Sequence, residues 1–131
     1  MIFLVGYTGS KESKAALALA RDHAALFAAK VVVVVSSEGG PREKHGHIGK
    51  ASEDLFFARN FLEEKGIDHD CHELVRGVSP GEDMVRYAEE KKIDQIFVGI
   101  EKKSRTQKII LGSNAQYIIL KAPCPVVTVN R

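Results

Sequence analysis

Residues 31–35 read Val31-Val32-Val33-Val34-Val35, an unbroken run of β-branched side chains. Such side chains favour extended backbone, and an apolar run without alternation is typical of a parallel strand buried on both faces. Three further runs are of the same kind, whereas Cys71–Val75 is more mixed, as suits an edge strand. The predicted strands are therefore Ile2–Val5, Val31–Val35, Cys71–Val75, Gln95–Val98 and Val126–Val129.

Four segments with helical periodicity lie between these runs. Lys11–Ala28 and Ala51–Lys65 carry apolar residues at helical spacing, and Gly66 follows the second helix as a stop signal. The third helix begins at Ser79-Pro80-Gly81-Glu82 and the fourth at Ser113-Asn114-Ala115-Gln116, and both sequences match a capping box. Right-handed crossovers then predict an α/β fold, a single doubly wound five-stranded parallel sheet of order 3-2-1-4-5 with helices on both faces.

The composition fits one ordinary globular domain over residues 1–131. Hydrophobic residues make up 44% of the chain and charged residues 27%, and the net charge of +2 is too small to indicate general nucleic-acid binding. No apolar segment approaches the roughly 18 residues of a membrane span, and Met1–Val5 lacks the basic flank of a signal peptide. Because Cys71 and Cys124 are the only cysteines, we expect a reducing, cytoplasmic setting.

A ligand cleft is expected where the strand order reverses, beyond the carboxyl ends of the first and fourth strands. The loops that leave those strands are Tyr7–Ser10 and residues 99–112. The second loop leads into Gly112-Ser113-Asn114, a helix N-terminus whose unpaired N–H groups and dipole favour an anion. It also carries the basic residues Lys102, Lys103, Arg105 and Lys108. A phosphate site and an ordinary solvated basic loop both fit this pattern.

Other chemistry has little support. The chain has neither a Walker A nor a dinucleotide-binding glycine motif. The histidines His45, His47, His69 and His72 lack ligand spacing, so no structural metal is expected. No nucleophile has an adjacent base, and no catalytic residue is predicted. The polar stretch Ser36–Lys50 is interpreted as a loose loop, either mobile or a lid.

Three segments resemble the universal stress protein family, and the similarity covers nearly the whole chain. They are Gly9–Leu17, Arg76–Glu82, and Gly112-Ser113 followed by Ala122–Val127. The resemblance implies a regulatory stress-response protein that binds ATP or AMP, with Mg²⁺ as an accompanying ion and at most slow ATP hydrolysis. It also implies a homodimer formed through the edge strand Val126–Val129. A nucleotide-free protein-interaction module of the same fold is the alternative.

The resemblance also implies which residues would hold the nucleotide. Tyr7 and Thr8 would flank the nucleoside and Val35 or Ser36 would lie near the base. The phosphates would be lined by Gly99, Lys102, Gly112, Ser113 and Asn114.

The family pattern after the fourth strand is Gly, two residues, Gly, nine residues, Gly and Ser or Thr. Gly99 and Gly112-Ser113 match it, but Lys102 replaces the second glycine. Thr8 replaces an aspartate that contacts adenosine in the family, so weakened or altered nucleotide binding is expected.

Overall fold

The computed structural model describes residues 1–39, 48–101 and 111–130. These residues form a five-stranded sheet and four helices that alternate along the chain. The strands are β1 (Ile2–Gly6), β2 (Lys30–Ser37), β3 (His69–Val75), β4 (Gln95–Ile100) and β5 (Val126–Asn130). The helices are α1 (Lys11–Phe27), α2 (Ile48–Glu63), α3 (Pro80–Glu90) and α4 (Ser113–Lys121).

The sheet is parallel throughout, and its order is β3-β2-β1-β4-β5. The predicted α/β class and strand order are therefore confirmed. The chain passes from β1 outwards to β3 and then crosses back to β4, so the strand order reverses between β1 and β4. Loops that leave the sheet on either side of this point open a crevice at its carboxyl edge.

Both faces of the sheet are covered. On one face, small residues along α1, among them Ala16 and Ala20, pack with Phe3 and Phe97 in a core that also includes Leu62 of α2. On the other face, residues of α3 and α4 pack against alternate positions of the same strands. That second core includes Leu4, Val32, Val34, Met84, Val85, Ile96 and Ile118. Burial on both faces explains why the central strands are continuously apolar.

Several element boundaries differ from those expected from the sequence. The stretch Ser36–Lys50 is not wholly a loop, because Ser36 and Ser37 extend β2 and α2 already begins at Ile48. Residues 40–47 lie outside the described part of the chain.

Neither predicted capping box forms its side-chain hydrogen bond. Ser79 does occupy the N-cap of α3, but its side chain makes no capping bond, and the N-cap of α4 is Gly112 rather than Ser113. At both helix starts a tertiary contact replaces the predicted capping bond, because the Gly81 N–H in the first turn of α3 donates to the side chain of Asn114 in the first turn of α4.

A buried ion pair joins the carboxyl ends of β2 and β3 to α3. The Asp83 side chain is fully buried, and its carboxylate accepts hydrogen bonds from the Arg76 guanidinium at 2.5 Å and from the Ser36 hydroxyl at 2.7 Å. Arg76 also pairs with the exposed Glu90 at 3.0 Å. A buried carboxylate is tolerated only when it is paired and hydrogen-bonded, and this one is.

The two cysteines are free thiols at opposite edges of the sheet, Cys71 in β3 and Cys124 just before β5. Burial raises the pKa of both thiols, which keeps them protonated and weakly reactive. No helix among the described residues is long and apolar enough to cross a bilayer.

Arg76→Met should destabilise the protein strongly, because it leaves the Asp83 carboxylate buried without its cationic partner. Removing one partner of a buried pair typically costs about 3–5 kcal/mol of unfolding free energy. Glu90→Gln is the matched control, since it removes only the exposed partner and should cost below about 1 kcal/mol. Urea denaturation measures both values, and equal losses would contradict the assignment of Asp83 as the critical group.

Candidate functional site

A cavity of about 690 Å³ opens at the carboxyl ends of β1, β2 and β3. Its walls include Tyr7 and Thr8, which follow β1, and Val35 and Ser36, which end β2. The first turns of α2 close one side through Lys50, Ala51 and Asp54. The cavity therefore combines an apolar floor with a small number of charged and hydroxyl groups at its rim, as in many small-molecule sites.

Tyr7 forms part of the cavity floor and also holds α2 in place. Its side chain is almost fully buried, and its ring stacks on Phe57 of α2 with centroids 6.0 Å apart and planes within 8°. Phe57 stacks in turn on Phe61. Burial and then the nearby Asp54 carboxylate raise the pKa of Tyr7 to about 12, so its phenol remains a neutral donor at pH 7.

The turn after β1 is held by three hydroxyl groups. The Thr8 hydroxyl lies 2.9 Å from the Ser10 hydroxyl, and the Thr8 N–H donates to the Ser13 hydroxyl at 3.2 Å. Ser10 is the N-cap of α1 and accepts from the Ser13 N–H. The Thr8 side chain is thus already engaged in the turn.

A charged pair from α2 lies against this turn. The Lys50 ammonium donates to the Thr8 carbonyl at 2.6 Å and to the Asp54 carboxylate at 2.9 Å. A Cβ on Gly9, which has a φ of +80°, would come within 2.8 Å of an Asp54 carboxylate oxygen. Glycine at position 9 therefore permits both the left-handed turn and the close approach of this carboxylate.

Ser36 contributes to the cavity mainly through its position at the end of β2. Its hydroxyl donates to Asp83 on the opposite side of the sheet. The buried ion pair described above thus fixes the strand end that forms the cavity wall. The neighbouring Val35 packs against the core beneath α1 and α2.

A smaller cavity of about 260 Å³ lies beside the end of β4. Gly99, Gly112 and Ala115 line it, together with Glu12 of α1 and Glu101. Gly99 has a structural role here, because a Cβ would collide with the main-chain carbonyl group of Glu12. This contact brings the first turn of α1 directly onto β4. The chain from Thr8 to Glu12 therefore runs from the larger cavity to the smaller one.

The N-terminus of α4 borders the smaller cavity. Gly112 is its N-cap in an extended conformation, without a side-chain capping bond. Asn114 was predicted to line the phosphates. In the structure its carboxamide oxygen accepts a hydrogen bond from the Gly81 N–H at 2.9 Å. Its side chain therefore connects α4 to α3. Ser113 is exposed at the first position of the helix.

The structure brings most of the predicted site residues to one edge of the sheet, divided between two cavities. Lys102 lies outside the described residues, so its predicted role stays a prediction. Sequence reasoning missed Lys50 because position 50 was assigned to a loop, and it gave Asp54 no role although that residue lies within the predicted helix Ala51–Lys65. The signal that could have found them is their spacing of four residues, which places a Lys–Asp pair on one face of a helix. Among the described residues no group of three His, Cys, Asp or Glu side chains could hold a metal ion.

The fold is that of a doubly wound α/β protein, and its two cavities lie at the carboxyl edge of the sheet on either side of the point where the strand order reverses. A sequence model described as the Universal stress protein family matches residues 1–130. The chain belongs to the universal stress protein family.

Similar proteins include several from archaea. A universal stress protein of Methanocaldococcus jannaschii is 32% identical over 126 residues, which is 91% of this chain and 73% of that protein. A universal stress protein structure from Archaeoglobus fulgidus is 37% identical, covers 98% of both chains and has a TM-score of 0.89. A second structure from Archaeoglobus fulgidus, in complex with dAMP, is 32% identical, with a TM-score of 0.82 over 98% of this chain and 97% of that one.

Gly99→Ala and Gly112→Ala should have very different effects on stability. At Gly99 an added methyl group meets main-chain atoms of α1 that cannot move aside, and overpacking of this kind typically costs about 1–3 kcal/mol or more. At Gly112 the φ is −63° and no atom of the described residues lies within 4 Å of the added Cβ. That variant should remain within about 1 kcal/mol of the wild type.

Urea denaturation of the two variants side by side measures this difference. If Gly99→Ala is as stable as Gly112→Ala, then α1 does not lie on β4 as closely as the structure shows.

Proposed function

We propose that this protein is a regulatory stress-response protein that binds an adenine nucleotide, AMP or ATP, across the two cavities. The observation that carries the proposal is the placement of the cavities on either side of one turn, residues 8–12, at the switch point of the sheet. The order of larger cavity, turn and smaller cavity matches the order of base, ribose and phosphate in a nucleotide. The Archaeoglobus fulgidus relative in complex with dAMP supports this class of ligand.

In this proposal the base occupies the larger cavity. Tyr7, Val35, Ala51 and Val75 give it apolar walls, and Ser36 and Ser37 at the end of β2 add polar residues to the same lining. Apolar walls with a few fixed polar groups suit a flat heteroaromatic ring. The volume of about 690 Å³ is ample for a nucleoside.

The phosphates are assigned to the smaller cavity and the N-terminus of α4. That helix end lacks a side-chain cap, so its first N–H groups and its dipole are suited to an anion. Glu12 and Glu101 also line this cavity and oppose a phosphate by charge repulsion. A bound Mg²⁺ would offset these carboxylates, and the predicted contribution of Lys102 would act in the same direction.

Two substitutions relative to the family pattern are proposed to alter affinity. Thr8 has no carboxylate, and its hydroxyl is engaged by Ser10. At position 102, which lies outside the described residues, a lysine replaces the glycine of the family pattern. We expect weaker contacts from position 8 to the nucleoside and an altered contact with the phosphates.

Native mass spectrometry of freshly purified protein, followed by calorimetric titration with adenosine, AMP and ATP, tests the proposal. The wild type should bind all three ligands. Gly112→Ala, which places a methyl group at the uncapped helix end, should weaken AMP and ATP by about tenfold and leave adenosine nearly unchanged.

The three functional classes give different results in this experiment. An empty protein that binds none of the three ligands would overturn the nucleotide proposal and favour a protein-interaction module. Accumulation of the diphosphate from bound ATP would indicate slow hydrolysis. Equal loss of adenosine and AMP binding in Gly112→Ala would contradict the assignment of the phosphates to α4.

We also propose a homodimer formed through β5. The two edges of the sheet differ in chemistry, because β3 carries His69, Asp70, His72 and Glu73 whereas β5 reads Val-Val-Thr-Val-Asn without a charge. Charged residues protect an edge from pairing, and an uncharged edge favours it. Pairing of two copies of β5 about a two-fold axis would extend the sheet across the dimer.

Thr128→Pro should prevent this dimer. The Ile96 N–H donates to the Pro125 carbonyl, and the alternation of parallel pairing then directs the Thr128 main chain towards the open edge. Proline at an edge position removes a donor with little cost to the sheet. Sedimentation at micromolar concentration should show a dimer for the wild type and for the control Thr128→Val, and a monomer for Thr128→Pro. A monomeric wild type would contradict the proposal.

A further inference from the structure

The larger cavity has a carboxylate, that of Asp54, beside the turn that follows β1. Asp54 lines the larger cavity next to Thr8, at the point where the chain turns towards the smaller cavity. Its side chain is 13% exposed, whereas that of Lys50 is 52% exposed. The carboxylate of Asp54, which belongs to α2, is therefore largely shielded from solvent at the cavity wall.

The position of this carboxylate is set by several independent contacts. Stacking of Tyr7 on Phe57 holds α2 against the end of β1. Lys50 then ties the same helix to the Thr8 carbonyl. The absence of a side chain at Gly9 leaves the space that one Asp54 oxygen occupies. Together these contacts place a carboxylate directly over the first turn.

The local charge pattern suits a hydroxyl donor. A carboxylate offers about four lone-pair sites, and its bond to Lys50 uses one of them. The Tyr7 phenol on the cavity floor stays neutral and adds no competing charge. A ligand that spans both cavities would place its sugar at this turn, between the base and the phosphate. Sugar hydroxyls are donors that a carboxylate binds strongly.

We infer that Asp54 is the ribose-binding residue of this cleft and that it replaces, from α2, the carboxylate that position 8 lacks. This inference rests on the proposed nucleotide function and deepens it, since it assigns preference for a ribonucleoside over a deoxyribonucleoside to one side chain. Lys50 acts as a positioning residue that orients the carboxylate and anchors α2 to the turn.

The experiment compares adenosine, 2′-deoxyadenosine and 3′-deoxyadenosine by calorimetric titration at pH 7. The wild type should bind adenosine about tenfold more tightly than at least one deoxy analogue, as expected for a hydrogen bond to a charged group. Asp54→Asn should lose about the same factor for adenosine and should no longer distinguish it from that analogue. The comparison of ligands on the wild type requires no variant, so it holds even if Asp54→Asn folds poorly.

Two further variants sharpen the test. Glu53→Gln makes the same change of charge one residue away, at an exposed position of α2 that does not line the cavity, and should bind all three nucleosides as the wild type does. Thr8→Asp combined with Asp54→Asn returns a carboxylate to the turn itself and should recover the preference for adenosine. Recovery would show that a carboxylate at this point of the cleft is sufficient for the preference, whereas the loss in Asp54→Asn alone shows that Asp54 supplies it in the wild type.

The outcomes separate the inference from the function on which it rests. If the wild type binds no nucleoside or nucleotide, both fail. If the wild type binds adenosine and Asp54→Asn retains both the affinity and the discrimination, the assignment of Asp54 is wrong while nucleotide binding stands. If the wild type binds adenosine and both deoxy analogues equally, no ribose hydroxyl contacts a carboxylate, and the assignment is again wrong.

Discussion

The geometry of the cleft depends on a single close contact between main chains, that of α1 with β4 at Gly99. A side chain at position 99 would collide with the Glu12 carbonyl group, so the first turn of the helix can lie on the strand only because the residue is glycine. This contact determines where the turn Thr8–Ser10 lies relative to β4. This turn separates the larger cavity, at the ends of β1 and β2, from the smaller cavity beside α4.

Most of the fold could be predicted because its signals are local and repeated. Continuous valine runs indicate strands that are covered on both faces, and their alternation with helical segments leaves few topologies. The errors fall where tertiary contacts decide. The capping boxes at Ser79 and Ser113 are correct as markers of helix starts, but neither forms the expected bond. At α4 the neighbouring Asn114 contacts another helix, and Gly112 takes the cap.

The site was predictable only in part. Tyr7, Thr8, Val35 and Ser36 could be expected together because the carboxyl ends of adjacent parallel strands meet at one edge. The spacing of Lys50 and Asp54 indicates only that they share one face of a helix, whereas the place of Asp54 in the cleft depends on where α2 begins and on the stacking of Tyr7 on Phe57. No periodicity encodes either feature. The family pattern places a carboxylate at position 8, in the turn after β1, and gives no indication of one from α2.

The hydrogen bond between Asn114 and Gly81 limits how this cleft can be remodelled. A side chain at position 81 would come within 2.9 Å of the main-chain carbonyl oxygen of Asn114, so α3 and α4 can approach this closely at this point only because residue 81 is glycine. α3 also carries Asp83, which holds the end of β2 through Ser36. The helix end at one cavity and the strand end at the other therefore share a support behind the sheet. A substitution at one end of the cleft that disturbs the contact between Gly81 and Asn114 would therefore alter the other end as well.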